Sequence, residues 1–245
     1  MSRHLTLRSG NPVLNKNSFN TSSLSSDTMT IEGTVNKTVI SLLLLIGTGY
    51  YTFTDINPGV LIFCGIGGFI IALVTIFKKE WAPITVPIYA ILEGGLLGGI
   101  SFMYNNLYNG IVTNAIFITV GILLSLLTAY RSGLIKPTEN FKLGVFAATG
   151  GIAIVYFVNF IMGMFGSNMG IMDPANASLI SIGFSLLVVV IASLNLVLDF
   201  DFIEEAAEKK VPKYMEWYGA FGLLVTLIWL YLEILRLLAK LSSRK

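Results

Sequence analysis

Residues 192–241 read ASLNLVLDFDFIEEAAEKKVPKYMEWYGAFGLLVTLIWLYLEILRLLAKL, and this stretch decides the fold. Two long apolar segments flank a short charged loop. Asp199 stands near the end of the first segment and Glu233 well inside the second. A charged side chain at the centre of a bilayer costs about 2.5–3.5 kcal/mol on insertion scales, so acids placed there are read as functional. The rest of the chain reads as a helical shell around them.

Composition agrees. Of 245 residues, 54% are hydrophobic and only 12% are charged. A soluble domain carries about 25% charged residues. The apolar residues come in long blocks, as in an integral membrane protein. The net charge of +2 is too small to point to nucleic acid. Cys64 is the single cysteine and His4, near the N-terminus, the single histidine. Those counts argue against zinc chemistry and against a serine or cysteine triad. The expectation is a protein that is not an enzyme and has no resident cofactor.

Residues 1–36 are rich in Ser, Thr and Asn without apolar periodicity, which predicts a flexible polar tail. Residues 37–245 are read as one transmembrane domain. Seven apolar segments lie there, each near the roughly 20 residues a span needs. They fall at about Thr38–Thr54, Val60–Phe77, Trp81–Tyr104, Ile111–Tyr130, Phe141–Phe165 and Ala177–Phe202. The seventh starts between Tyr214 and Gly222 and ends near Leu241.

Basic residues orient the spans. The loops after spans two, four and six hold Lys78, Lys79, Arg131, Lys136, Lys142, Lys209, Lys210 and Lys213. The loops after spans one, three and five hold none. The N-terminus and the even loops are therefore expected in the cytoplasm. Seven spans then put the C-terminus outside, against the pull of Arg236, Lys240, Arg244 and Lys245. Either the earlier signals override that pull, which is preferred, or the last segment does not fully cross.

Gly94, Gly95, Gly98 and Gly99 make two overlapping GxxxG pairs in span three. Such pairs let a neighbouring backbone approach closely, and they are read as helix packing rather than as a ligand site.

Four acids lie within or at the margin of the membrane: Glu93, Asp199, Asp201 and Glu233. No basic residue stands in the middle of the first six spans. The acids must then be protonated, paired or wetted. Burial raises a carboxylate's pKa, and a shared proton raises one member of a pair further. Carboxylates are also hard oxygen ligands of the kind calcium prefers. Proton or cation handling follows from the residue types. Counted from Trp81, Glu93 lies about 18 Å deep at 1.5 Å per residue. With span six running to Glu205, Asp199 lies about 9 Å deep. Glu233 is about 28 Å beyond Tyr214, which disfavours a direct Asp199–Glu233 pair unless span seven enters the bilayer late, and leaves Glu93 as the better-placed partner of Asp199. Competing readings are that Asp199 and Asp201 snorkel to the surface beside Glu204, Glu205 and Glu208, and that Glu233 pairs with Arg236 at i,i+3 near the far interface.

At these residues the sequence resembles the Bax inhibitor-1 family, the transmembrane Bax-inhibitor-motif proteins. Asn195-Leu-Val-Leu-Asp199-Phe-Asp201 is similar to the motif that closes the family's sixth span, with Asp199 in place of its acid. Leu230-Tyr-Leu-Glu233 resembles the Leu-Tyr-Leu-Asp signature of span seven, with Glu for Asp. Lys78 and Lys79 stand where the family has a basic residue. Trp217–Gly222 and Leu92–Gly95 read like the bacterial branch. The resemblance covers about residues 38–241. It implies an all-α integral membrane fold of seven transmembrane helices, the C-terminal one central, in a bacterial inner membrane.

The function it implies is a pH-sensitive calcium leak. Asp199 and Glu233 would be proton sensor and latch, and tentative calcium ligands. Lys78 or Lys79 would compete for Asp199 in one state. The spacing of 34 positions from Asp199 to Glu233 departs from the family pattern. Glu93 is added as a midplane pathway carboxylate and Asp201 as one at the mouth. Expected partners are the bilayer, calcium and protons, with a membrane protein or a second copy as further possibilities and no nucleic acid. The alternative function is a non-conducting regulatory protein that binds a membrane protease or another membrane partner.

Overall fold

A computed structural model describes residues 28–54 and 57–244, and the first 27 residues of the expected tail lie outside it. Seven long helices make up nearly all of the described chain. They are α1 (Ile31–Thr54), α2 (Pro58–Phe77), α3 (Ala82–Leu107), α4 (Ile111–Arg131), α5 (Glu139–Met164), α6 (Leu179–Glu208) and α7 (Met215–Ser242). All seven are long and apolar enough to cross a membrane. The fold is all-α, as the hydropathy predicts. Helix α1 begins at Ile31, ahead of the expected Thr38, so the end of the polar segment is helical.

Local chemistry sets the starts. Asn57 caps α2, its side chain accepting from the Gly59 amide at 2.9 Å, and Pro58 opens the helix without an amide to satisfy. Thr138 caps α5 through the Phe141 amide, and Ser178 caps α6 through the Ser181 amide, both at 3.3 Å. Gly110 precedes α4 at φ 78°, a left-handed value that glycine adopts without strain. Short 3-10 turns at Lys79–Trp81 and Gly170–Met172 lead into α3 and stiffen the α5–α6 connection.

Helix α7 is the centre of the bundle. It packs against α1, α3, α4 and α6. Within its apolar window 56% of residues are buried, against 11% in α5, so α7 is the core and α5 the rim. One apolar cluster joins α7 to α4 and α6 through Ala115, Leu196, Leu227 and Leu230. Another joins it to α3, where the rings of Tyr89 and Phe221 meet edge-on at 5.0 Å.

The α3 glycines serve two neighbours. A methyl group on Gly94 or Gly98 would fall 2.3 Å from the Leu45 carbonyl oxygen or 2.1 Å from that of Gly49, both in α1. On Gly95 or Gly99 it would strike Cys64 or Leu61 in α2. Each GxxxG pair is the seat of one helix, and the packing reading holds.

Candidate functional site

The buried charged side chains of the described residues, Glu216, Glu233 and Lys240, all lie on α7, and α5 and α6 supply polar neighbours to it. The end holding Thr28 and the α6–α7 loop is the near end. Thr28 bridges Pro212 there, and the Met29 amide donates to the Val211 carbonyl at 2.8 Å.

Asp199 lies on α6 and faces α7. A methyl group on Gly222 would stand 3.6 Å from its Oδ1, and Thr226 faces the same carboxylate. Its Oδ2 is sealed from solvent and has no hydrogen-bond partner among the described residues. An unpartnered carboxylate oxygen is costly in a low-dielectric interior, so this acid is poised to hold a proton or a cation.

Glu233 is in the opposite condition. It is 2% exposed and fully engaged. Arg236, one turn on, donates to both of its oxygens at 2.9 Å. The Tyr156 hydroxyl of α5 donates to its Oε1 at 2.5 Å and accepts from Arg236 at 2.9 Å. The i,i+3 pair read from the sequence exists, but inside the protein rather than at its surface.

The expected Asp199–Glu233 latch is absent. Gly222, level with Asp199, precedes Glu233 by eleven positions, or about 16 Å along the helix axis. The two acids therefore do not form a common calcium site. No group of three or more His, Cys, Asp or Glu side chains placed to hold a metal occurs among the described residues. The expected latch cations are not engaged with Asp199 either. Lys78 and Lys79 are exposed and in no ion pair among the described residues, and the Lys79 ammonium lies 5.1 Å from the centre of the Tyr218 ring.

Asp201 faces α5, where Lys142 holds it at 2.7 Å, rather than snorkelling alone. Glu93 rests against Gly68 of α2, where a methyl group would meet its Oε1 at 2.8 Å. It makes no ion pair or hydrogen bond with the described residues, and nothing joins it to the α5–α6–α7 groups.

Asn195 entered the sequence reading only as the start of the span-six motif, and Glu216 and Lys240 were not singled out as site residues. Asn195, one turn from Asp199, donates to the Thr149 hydroxyl of α5 at 2.8 Å. Glu216 is 0% exposed at the start of α7 and gathers the Thr30 amide and hydroxyl with the Lys37 and Lys213 ammonium groups, all within 3.1 Å. It staples α1 to the start of α7. Lys240 is 0% exposed at the far end of α7 and donates to the carbonyls of Ile171 and Ser181 and to the Ser185 hydroxyl. It pins the α5–α6 connection. An acid in the first turn of α7 and a lone lysine in an apolar run were the available signals. Their partners lie far away in the sequence, so neither pointed to a contact.

Seven membrane-length helices with the C-terminal one buried at their centre make a polytopic membrane protein with carboxylates in its interior. The chain belongs to the Bax inhibitor 1 like family, which it matches over residues 11–243. No curated protein matches it.

Proposed function

We propose that the protein is a pH-sensitive cation leak, with calcium as the ion carried and Asp199 as the proton sensor. The observation that carries this reading is the buried, unpartnered Oδ2 of Asp199. An orphan carboxylate between two membrane helices changes charge when it gains a proton and can trade that proton for a cation. Membership of the Bax inhibitor 1 like family supports calcium as that cation. Glu233, neutralised by Arg236, serves as a fixed charge pair of the far half rather than as a partner of Asp199. Asp201 and Lys142 stand at the near mouth. Glu93 is a separate carboxylate on the α2–α3 side.

The basic loops support a cytoplasmic N-terminus, and the likeness of Trp217–Gly222 and Leu92–Gly95 to the bacterial branch supports a bacterial inner membrane. Arg236 and Lys240 are spent on internal contacts, so they exert little of the interfacial pull that a cytoplasmic C-terminus would require. A helix of 28 residues is about 42 Å long, ample for a full crossing. The reading as a non-enzyme is supported by the single histidine, His4, and the single, buried cysteine, Cys64.

The test is calcium efflux from liposomes holding purified protein, from mildly acidic to mildly alkaline pH. Wild type leaks with a pH dependence that Asp199→Asn flattens and Glu233→Gln does not. Efflux no faster than from empty liposomes at every pH would remove conduction. That outcome would favour the regulatory reading, whose partner surface would be the glycine face of α5, where Gly144, Gly150 and Gly151 meet nothing within 4 Å.

A further inference from the structure

Helix α5 is attached in an unusual way. Little of it is buried, and its main neighbour is α6. Three of its side chains cross to the core at seven-residue intervals: Lys142 to Asp201 at 2.7 Å, Thr149 to Asn195 at 2.8 Å and Tyr156 to Glu233 at 2.5 Å. Seven residues are about two helical turns, so the three lie on one face. Between them only Val145 and Ile152 are buried, again seven apart. The seam therefore alternates polar rungs with single apolar contacts from the near end to the far half.

This placement is costly without a use. An apolar helix in lipid needs no polar side chains to stay folded, and interhelical hydrogen bonds contribute modestly because lipid-exposed states find other partners. A seam of separable polar rungs is also a seam that water can enter once the helices part. Asp199 lies one turn from the middle rung, on the same helix. Glycines in left-handed conformation stand in the connections on either side of α5, Gly133 at φ 72° and Gly166 at φ 75°. Glycine adopts these values without strain.

We propose that α5 is the moving wall of the leak, and that the ion path opens along its seam with α6 and α7, with Asn195 and Thr149 at its narrow middle. The proposal rests on the leak reading for its purpose, and α5 motion itself is measurable without flux. The rungs are made in the structure, and this arrangement is the proposed closed state. In the open state α5 tilts away, the rungs exchange their partners for water, and Asp201, Asn195 and Glu233 line one continuous polar strip. Asp201 is faced by Lys142, which also reaches Glu139 at 3.6 Å; Glu233 is faced by Arg236 and Tyr156.

The test bridges the seam. Thr149→Cys and Asn195→Cys are placed together in a Cys64→Ala background and joined by a short bis-thiol reagent or by oxidation. A Thr75→Cys, Thr85→Cys pair, from a hydrogen bond of 2.8 Å between α2 and the start of α3, is the control. Bridging at the middle rung stops calcium efflux at least tenfold and reductant restores it, while the control bridge leaves efflux unchanged. Equal efflux from bridged and unbridged protein at the middle rung overturns the proposal.

Spin labels at Gly150→Cys and Val225→Cys, both on exposed faces that touch no rung, give the second readout in liposomes. A second, longer distance population appears under the conditions of fastest efflux. One narrow population under all conditions overturns α5 motion. If the unbridged protein does not leak at all, the leak reading falls, and the distance distribution alone decides whether α5 moves.

Discussion

Two seams of this molecule are built on opposite principles. Between α1 and α3 the backbones nearly touch, with Gly94 and Gly98 leaving no room for a methyl group. Between α5 and the α6–α7 pair the helices stand off and are joined by three polar rungs. The first seam is held by close contact over its whole length, and no part of it separates without losing the rest. The second is a set of discrete bonds, each replaceable by water. A membrane protein that must stay folded and still open has reason to keep both kinds.

The largest expected effect tests the polar seam. Arg236→Met leaves Glu233 buried beside Tyr156 alone. Removing one partner of a buried pair costs about 3–5 kcal/mol, so the thermal midpoint in detergent drops sharply. Adding Glu233→Gln to Arg236→Met restores most of it. A single variant as stable as wild type would mean the pair is wetted rather than buried.

Next comes the glycine seam. Gly98→Ala drives a methyl group toward the Gly49 carbonyl oxygen. Overpacking of this kind costs about 1–3 kcal/mol, read as a lower unfolding midpoint with α1 loosened. No loss of stability would show that α1 and α3 are not in backbone contact.

A smaller loss is expected at the middle rung. Asn195→Leu removes one interhelical hydrogen bond, worth about 0.6 kcal/mol on average and at most about 1.7. Stability falls slightly, while efflux changes more than stability does. A stability loss as large as that of Gly98→Ala would erase the contrast between the two seams.

The smallest effect has the opposite sign. Gly150→Ala, on the open face of α5, meets nothing within 4 Å. Replacing a helical glycine by alanine stabilises by up to about 1 kcal/mol, so the midpoint holds or rises. Destabilisation would reveal a neighbour on that face, such as a partner helix or a second copy.

The sequence was a good guide to one seam and a poor guide to the other. GxxxG spacing in span three pointed straight to close helix contact, because the signal is local: four positions are one helical turn. The rungs left no such mark. Lys142, Thr149 and Tyr156 look ordinary in a long apolar helix, and their partners sit 46 to 77 positions away. The depth count along span seven correctly disfavoured a direct Asp199–Glu233 pair, because helical rise converts sequence distance into height. It said nothing of azimuth, so it did not reveal that Glu233 turns toward Tyr156 or that Glu93 turns toward Gly68 of α2. Glu216 and Lys240 were missed for the same reason.

By itself the sequence determined the class, the number of helices and their rough limits. Those properties depend on hydropathy and length, which accumulate along the chain. Only the tertiary structure decided that α7 is the core and α5 the rim, that Glu233 is neutralised and that Asp199 is left without a partner. Pairing depends on which faces of distant helices meet, and that is set by packing across the bundle rather than by any local pattern of residues.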